Sequence, residues 1–193
     1  MIKAFIQDLT ILITRLIFKI IFRLEIEGVD KIPQNTPLII ISNHHSYLDP
    51  AVLMVSSPRK IHFVAKKELF YNPFTFFFVK LFDAIPVDRE NPKPSTFKTV
   101  LKYLSENKVV GIFPEGTRVK DPQKFGQAEE GINLILSKSK CPILITYIDG
   151  TYQWYKKFKI KVLFKELVKW EELEKIQEKE RAKLLMRKVY ENN

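Results

Sequence analysis

Short apolar runs alternate along this chain with longer segments of helical pattern, and this alternation constrains the fold more than any other feature. Seven runs have the character of strands: 24–27, 38–41, 61–65, 84–87, 109–113, 142–148 and 157–164. Strands that alternate with helices are typical of α/β proteins, in which helices flank a largely parallel sheet. We therefore predict a single α/β domain with a central, mostly parallel sheet.

The helical segments indicate how the chain divides. Helical patterns cover 2–22, 51–55, 73–82, 96–107, 129–139 and the charged tail from Glu166. No internal repeat or low-complexity linker separates them. We predict an N-terminal amphipathic helix over 1–23, the α/β domain over 24–165, and a charged C-terminal helix over 166–193 that belongs to the same domain.

The N-terminal segment has the pattern of a helix that lies on a membrane surface. It contains no Gly or Pro, and polar side chains recur every three or four positions at Lys3, Gln7, Thr10 and Thr14. So broad an apolar face is hard to cover within a small domain, which favours insertion into the headgroup layer over packing on the protein. Charged residues interrupt the apolar run, and we predict neither a signal peptide nor a spanning helix.

Another apolar segment, 68–82, holds six phenylalanines and is aromatic on all sides of a helix predicted to begin near Pro73. Such a helix can pack on the sheet, contact lipid or line a channel. We expect core packing, because large aromatic side chains bury the most apolar area.

The composition of the chain indicates what kind of partner it binds. The chain carries 32 Lys and Arg against 22 Asp and Glu, and 46% of its residues are hydrophobic. A chain both basic and apolar favours an anionic membrane surface. Nucleic acid is not expected, because zinc-ligand spacing, an RNP-like segment and a basic recognition helix are all missing. With Cys141 as the single cysteine, the chain suits a reducing compartment, and we predict peripheral attachment to the cytoplasmic face of the cell membrane.

A histidine and a carboxylate follow the run 38–41 directly. His44 and Asp49 are five positions apart, so on a continuous helix their side chains would point about 140° apart. They meet only if the backbone turns between them. Pro50 favours such a turn, and Asp49 before it is a good N-cap for a helix. The non-catalytic interpretation is therefore that His44 and Asp49 merely begin a capped helix.

A histidine held by a carboxylate is a general base. Without a nucleophile on the enzyme, that base would act on a hydroxyl of the substrate, which predicts direct group transfer to an alcohol. Ser46 is the nearby alternative nucleophile, but it lacks a Gly-x-Ser-x-Gly elbow and is expected to stabilise the turn. We do not expect a metal on His44, His45 and Asp49, because consecutive histidines usually point apart.

Three cations follow other predicted strands: Lys66, Arg89 and Arg118. The carboxyl ends of parallel strands meet at one edge, so these side chains are predicted to converge on an anion, and guanidinium forks suit phosphate. Glu115 either orients Arg118 or accepts a hydrogen bond from a substrate hydroxyl, and Gly116 allows close approach of the backbone. The chain has no Gly-rich phosphate loop, so a nucleoside triphosphate is not expected.

Four blocks of this sequence resemble, in order, those of the bacterial-type 1-acylglycerol-3-phosphate acyltransferases of phospholipid synthesis. The blocks are 43–49, 65–69 together with 84–89, 113–118, and 141–143. The resemblance implies transfer of a fatty acyl group from a thioester, on coenzyme A or acyl carrier protein, to the free hydroxyl of lysophosphatidic acid. Phosphatidic acid would be the product, and no bound cofactor or metal is implied.

The resemblance also implies residue roles. His44 would be the base and Asp49 would orient it. Arg89 and Arg118, supported by Lys66, would hold the acceptor phosphate. Glu115 would help to place the glycerol. The substrate-binding residues would be Lys66, Arg89, Glu115, Gly116, Thr117 and Arg118.

The sequence departs from the family pattern at two places. Asp83 stands where the family usually has a glycine, and we expect it to add a charge near the site. Glu129 and Glu130 replace a basic pair before Gly131. These departures leave the acceptor open, and an acyltransferase for another lysolipid, such as a lyso-ornithine lipid, is one alternative. The other alternative is a non-catalytic membrane-binding protein in which His44 and Asp49 merely cap a helix.

Overall fold

The computed structural model describes residues 1–88, 91, 93–119 and 131–191. Seven strands are described: β1 (Glu25–Glu27), β2 (Leu38–Ser42), β3 (Ile61–Lys66), β4 (Ile85–Val87), β5 (Val109–Ile112), β6 (Ile143–Asp149) and β7 (Lys161–Val168). The α-helices of the described residues are α1 (Ile2–Ile21), α2 (Asp49–Ser56), α3 (Pro73–Leu81), α4 (Pro94–Ser105), α5 (Gly131–Ser139), α6 (Trp154–Lys157), α7 (Trp170–Leu173) and α8 (Glu178–Tyr190).

The seven strands form one sheet in the order β1-β7-β6-β2-β5-β3-β4. Every pairing is parallel except that of β6 with β7, which is antiparallel and contains a register shift between Ile145 and Thr146. The five strands from β6 to β4 therefore run in the same direction, and their carboxyl ends lie at one edge. The predicted mostly parallel α/β sheet is confirmed.

The apolar run in β2 explains why the sheet is covered on both faces. All five residues of β2 are buried. Ile39 and Ile41 belong to one hydrophobic cluster, which includes α4, α5 and α8, whereas Leu38 and Ile40 belong to a second cluster with α1 and α2. Side chains alternate between the two faces of a strand, so an uninterrupted apolar strand needs helices on each side. Burial of one such side chain stabilises the fold by roughly 1.5–3 kcal/mol.

Helix α1 packs on α2 through a narrow stripe of its own surface. Gln7 and Phe18 are buried, and the Arg15 side chain donates to the carbonyl oxygens of Val55 and Ser57 at the end of α2. Most of the apolar side chains on its other faces are exposed. Among the described helices, none combines the length and the apolarity that crossing a bilayer requires.

Helix α3 begins at Pro73 as predicted, because the Asn72 side chain accepts hydrogen bonds from the backbone N–H groups of Phe74 and Thr75 in its first turn. The expectation that its aromatic face packs in the core is wrong. Four of its phenylalanines are exposed: Phe74, Phe76, Phe77 and Phe78.

Two predictions near the C-terminus are wrong. The last strand was predicted to start at residue 157, but that residue ends α6, and a left-handed residue, Phe158, separates α6 from β7. The tail from Glu166 was predicted as helix, but β7 continues to Val168, so the boundary between 165 and 166 falls inside a strand. The bulge in β7 interrupts the alternation of apolar and polar residues there, and that alternation is the only strand signal in the sequence.

Candidate active site

The site lies where the chain leaves β2 at the carboxyl edge of the sheet. Asn43 follows β2 and bonds to the adjacent strand β6 in both directions: its side-chain N–H donates to the Ile148 carbonyl oxygen at 2.8 Å, and its side-chain oxygen accepts from the Ile148 N–H at 2.8 Å. Both groups are buried. This pair of bonds fixes the start of the loop that carries His44.

The predicted contact between His44 and Asp49 is present. His44 Nδ1 lies 2.9 Å from Asp49 Oδ2, and the same oxygen accepts the backbone N–H groups of His45 and Ser46 at 2.7 Å each. The second oxygen, Oδ1, accepts the Thr151 hydroxyl at 2.5 Å. Because Asp49 is fully buried, these donors replace the water that its carboxylate has lost.

The expectation that Asp49 caps α2 is wrong. The N-cap is Leu48, and no side chain caps this helix. The Asp49 carboxylate turns back to the preceding loop and bonds there instead. Ser46 stabilises the turn as expected, since its hydroxyl accepts from the Leu48 N–H at 3.2 Å.

The His44 ring is held in one orientation. It stacks on Phe113 with centroids 4.3 Å apart, and Phe113 stacks on Phe63 at 5.6 Å. The backbone at Gly111 lies so close to Phe63 that an added Cβ would come within 2.5 Å of its ring. With Nδ1–H donated to Asp49, the free lone pair of His44 is on Nε2, which is the arrangement that a general base requires.

The Glu115 side chain, which follows β5, accepts a hydrogen bond from the backbone of His44. Its Oε2 accepts the His44 N–H at 2.8 Å, and its Oε1 accepts the hydroxyl of Tyr190. Burial raises the pKa of Glu115 to about 7, although both hydrogen bonds oppose this rise. Among the described side chains, Glu115 bonds to Tyr190 and not to Arg118, so its predicted role in orienting Arg118 is not seen. That Glu115 accepts a hydrogen bond from a substrate hydroxyl stays a prediction.

One of the three predicted cations lies against the His44 loop. The Arg118 guanidinium lies 3.4 Å from the centre of the Tyr47 ring and donates to the Tyr47 hydroxyl at 2.7 Å. Lys66 lies at the end of β3 and pairs with Glu68 at 3.4 Å. Arg89 lies outside the described residues, as do Glu129 and Glu130, so convergence of the three cations stays a prediction.

The turn between Glu115 and Arg118 depends on a glycine. Gly116 has φ 66°, a conformation that side chains other than glycine adopt at a cost. Thr117 is exposed at the tip of the turn, and its N–H donates to the Glu115 carbonyl oxygen at 2.7 Å.

The expectation that Asp83 lies near the site is wrong. Asp83 precedes β4, at the edge of the sheet opposite the carboxyl ends. Its φ of 48° explains why a glycine suits this position, and its carboxylate pairs with Lys3 of α1 at 2.6 Å. This departure from the family pattern therefore concerns the attachment of α1 and not the site.

The sequence predicted no role for three residues of the site: Asn43, which stands in the block 43–49, Thr151 and Tyr190. Thr151 follows the strand-ending pair Asp149-Gly150, so its place at the end of β6 was a usable signal. Tyr190 had no such signal, because it reaches the site from the last turn of α8.

The described residues contain no group of three or more His, Cys, Asp and Glu side chains arranged to hold a metal ion. His45 Nδ1 lies 3.0 Å from the Val119 carbonyl oxygen, and His62 Nδ1 lies 3.1 Å from that of Phe82. The site as described offers acid–base chemistry and hydrogen bonding.

Comparison with known proteins identifies relatives of this chain. The chain is 36% identical over 141 residues to the 1-acyl-sn-glycerol-3-phosphate acyltransferase of Bacillus subtilis, covering 71% of this chain and 69% of that protein. It is 33% identical to the enzyme of the same name from Streptococcus pneumoniae, covering 62% of this chain and 45% of that protein. The chain thus spans about two thirds of the first relative and less than half of the second.

The fold is also found among solved structures. The crystal structure of the 1-acyl-sn-glycerophosphate acyltransferase of Thermotoga maritima matches with a TM-score of 0.67 at 21% identity, covering 96% of this chain and 80% of that one. At that identity the match supports the fold alone. A family model described as Acyltransferase matches residues 23–148, which include β2, the His44 loop and the Glu115 turn. This chain belongs to the acyltransferase family.

Proposed function

We propose that this protein transfers a fatty acyl group from a thioester to the free hydroxyl of lysophosphatidic acid, giving phosphatidic acid. The observation that carries the proposal is the bond between His44 and a buried Asp49 whose carboxylate also accepts two backbone N–H groups and the Thr151 hydroxyl. That arrangement leaves one ring nitrogen free to take a proton. The relatives named as 1-acyl-sn-glycerol-3-phosphate acyltransferases support the identity of the acceptor.

The reaction needs no covalent enzyme intermediate. His44 Nε2 takes the proton of the acceptor hydroxyl as its oxygen attacks the thioester carbonyl. The C–S bond then breaks, and the imidazolium returns its proton to the departing thiolate, which leaves as a thiol. Asp49 stabilises the positive charge that His44 carries between these two proton transfers.

Arg118 is the described residue best placed to bind the acceptor phosphate. Its guanidinium already lies on the Tyr47 ring, within the loop that bears the base, so a phosphate bound there lies close to His44. We include Lys66 and Arg89 in the same role, because Lys66 ends β3 and Arg89 comes soon after β4 in the sequence, and these two strands end at the same edge of the sheet. The thioester donor is carried by coenzyme A or acyl carrier protein.

We further propose that the protein works on the cytoplasmic face of the cell membrane, attached peripherally. Exposed apolar residues cover the outer side of α1. Exposed aromatic residues adjoin both of its ends: α3 lies beside its start, where Gln7 donates to the Leu81 carbonyl oxygen, and Trp154 contacts Phe22 at its end. Aromatic side chains of this kind favour the headgroup layer, where a lysolipid acceptor is found.

A product assay with purified protein tests the acceptor. Both thioester donors are offered with lysophosphatidic acid, with a monoacylglycerol that lacks the phosphate, and with lyso-ornithine lipid. We expect phosphatidic acid as the main product, and we expect Arg118→Ala to raise KM for lysophosphatidic acid about tenfold or more while it leaves the slow reaction with monoacylglycerol unchanged. Equal rates for the acceptors with and without phosphate would contradict the proposal.

A further inference from the structure

The last residue of α8 reaches the centre of the site. The Tyr190 hydroxyl donates to Glu115 Oε1, while Glu115 Oε2 accepts the backbone N–H of His44. One carboxylate therefore joins the C-terminal helix to the residue proposed as the base. Neither Glu115 nor Tyr190 is exposed to solvent to a significant extent, so water does not compete freely for these bonds.

The position of Tyr190 is itself fixed. Helix α8 buries Leu185, Met186 and Val189 against the sheet. At its C-terminal end, the ammonium group of Lys165 in β7 donates to the carbonyl oxygens of Lys188 at 2.7 Å and of Val189 at 3.1 Å. A cation at the end of a helix satisfies carbonyl groups that have no partner within it. The Tyr190 hydroxyl is thus presented to Glu115 by a rigid support.

The two hydrogen bonds that the Glu115 carboxylate accepts are strong because the carboxylate is buried. A buried carboxylate is costly unless donors replace its lost hydration, and each hydrogen bond to a charged group is stronger than one between neutral groups. The carboxylate has two different donors, one from each side, so its position is determined by both. If the Tyr190 hydroxyl is removed, Oε1 loses its donor, and the His44 N–H is the one described donor that still fixes the carboxylate.

We infer that Tyr190 is a positioning residue for acyl transfer, which acts through Glu115 on the backbone of His44 and so sets the place of the proton-accepting nitrogen. This inference rests on the proposed function of His44 as the base. It gives the C-terminal helix a part in catalysis that does not require contact with substrate.

The charge state of Glu115 provides a distinctive readout. Among the described residues, Tyr190 on α8 and the His44 backbone bond to Glu115, and the Asp49 carboxylate at the start of α2 acts on it electrostatically. Two further ionisable groups, His45 in the loop and Tyr147 on β6, pack on the Tyr190 ring. Burial raises the pKa of Glu115 to about 7, and the Tyr190 bond is the larger of the two hydrogen-bonding effects that oppose the rise. Loss of that bond raises the pKa further, so Glu115 becomes protonated at a higher pH.

The test compares Tyr190→Phe with a matched control, Tyr147→Phe. Tyr147 packs on the Tyr190 ring with centroids 6.2 Å apart, so the control removes a neighbouring hydroxyl from the same cluster. We expect Tyr190→Phe to lower kcat about tenfold with KM nearly unchanged, and to move the acidic limb of the kcat profile to higher pH. Tyr147→Phe should leave both unchanged. A Tyr190→Phe enzyme with the kcat and pH profile of the wild type would overturn the inference.

A second measurement separates this inference from the proposed function, because it does not need turnover. The backbone amide signal of His44 is followed by NMR from pH 5 to 9, about two pH units on either side of the raised pKa, and the step that disappears in Glu115→Gln is assigned to Glu115. We expect Tyr190→Phe, shown to be folded by thermal unfolding, to move that step to higher pH. An unmoved step overturns the inference even if the wild type proves inactive in acyl transfer, whereas a moved step in an inactive wild type overturns only the proposed function.

Discussion

Single residues set the orientation of the base, and Thr151 is the most direct example. Its hydroxyl donates to Asp49 Oδ1, and Thr151 is buried. Thr151→Val keeps the shape but leaves that oxygen without its donor, which costs roughly 1.5–3 kcal/mol for a charged hydrogen bond. We expect urea denaturation to show a loss of free energy of unfolding of this size, together with a lower kcat.

Thr151→Ser is the matched control for that prediction, because it restores the hydroxyl and loses only a methyl group. It should recover most of the kcat and part of the stability. If Thr151→Val and Thr151→Ser behave alike, the hydroxyl does not support Asp49.

Glu115 gives a residue-scale prediction about pH. Its pKa is about 7 in the folded protein against 4.5 ordinarily, so between these values the folded state holds a proton that the unfolded state has released. The Glu115 contribution to stability is therefore complete below pH 4.5 and is lost as pH rises through 7. A pKa difference of this size corresponds to about 3 kcal/mol.

Denaturation of the wild type and of Glu115→Gln, measured from pH 4 to 8, checks this sign. We expect the wild type to lose stability relative to the variant as the pH rises. A difference between the two proteins that stays constant, or that grows in favour of the wild type at high pH, would show that the buried carboxyl is not perturbed.

Residues of the site differ in how far sequence predicts them. The contact between His44 and Asp49 spans five positions, so a turn after a strand was enough to predict it. Thr151 and Tyr190 approach the same loop from more than 70 positions away. Their contacts depend on which strand lies beside β2 and on where α8 ends, and neither follows from local patterns.

At the scale of elements, the attachment of α1 to the domain is testable at Asp83. Its left-handed backbone favours glycine by about 1 kcal/mol, whereas its exposed ion pair with Lys3 is worth roughly 0.2–1 kcal/mol. The two effects oppose each other, so we expect Asp83→Gly to change the free energy of unfolding by less than about 1 kcal/mol and to leave kcat unchanged.

Asp83→Ala separates these two effects, since it loses the ion pair and keeps the unfavourable backbone conformation. It should be less stable than Asp83→Gly when both are measured by denaturation. A higher stability of the alanine variant, or a loss of kcat in either variant, would contradict these two roles of Asp83.

Elements were predicted well where the pattern is uninterrupted. β2 and β5 are fully buried strands with continuous apolar runs, and α3 has both a proline start and an Asn72 cap. The prediction was wrong at β7, where the bulge near Glu166 breaks the alternation and the charged residues resemble an exposed helix. Pairing with β6 overrides local preference there, since strand propensity depends on the neighbouring strand.

At the scale of the whole molecule, the outer face of α1 is the surface that we expect to meet the membrane. Leu9 and Leu16 are both exposed on the side away from the buried stripe. The double variant Leu9→Glu, Leu16→Glu should reduce sedimentation with anionic liposomes about tenfold or more, because it adds two charges to the apolar face.

The control for this effect is Lys179→Gln with Lys183→Gln on α8, which lowers the net charge by the same amount on another surface. It should lose little liposome binding. If the control loses as much binding as the α1 variant, net charge and not the α1 surface governs attachment.

The overall architecture followed from the sequence, and the arrangement of the strands did not. Alternating strands and helices predicted the parallel sheet and the edge at which polar groups gather. The place of β2 between β6 and β5, and the reversed direction of β7, depend on packing between distant parts of the chain. That order is what brings Asn43, Thr151 and Glu115 to the same loop.

The central claim is that His44, oriented by Asp49, is the base for acyl transfer, and the most direct test is the rate of phosphatidic acid formation by His44→Ala. The assay uses lysophosphatidic acid and a saturating acyl thioester, with thermal unfolding to show that the variant is folded. We predict a fall in kcat of about 10²–10⁴-fold, the range that general base catalysis supplies. A folded His44→Ala enzyme that forms phosphatidic acid at the wild-type rate would contradict the account.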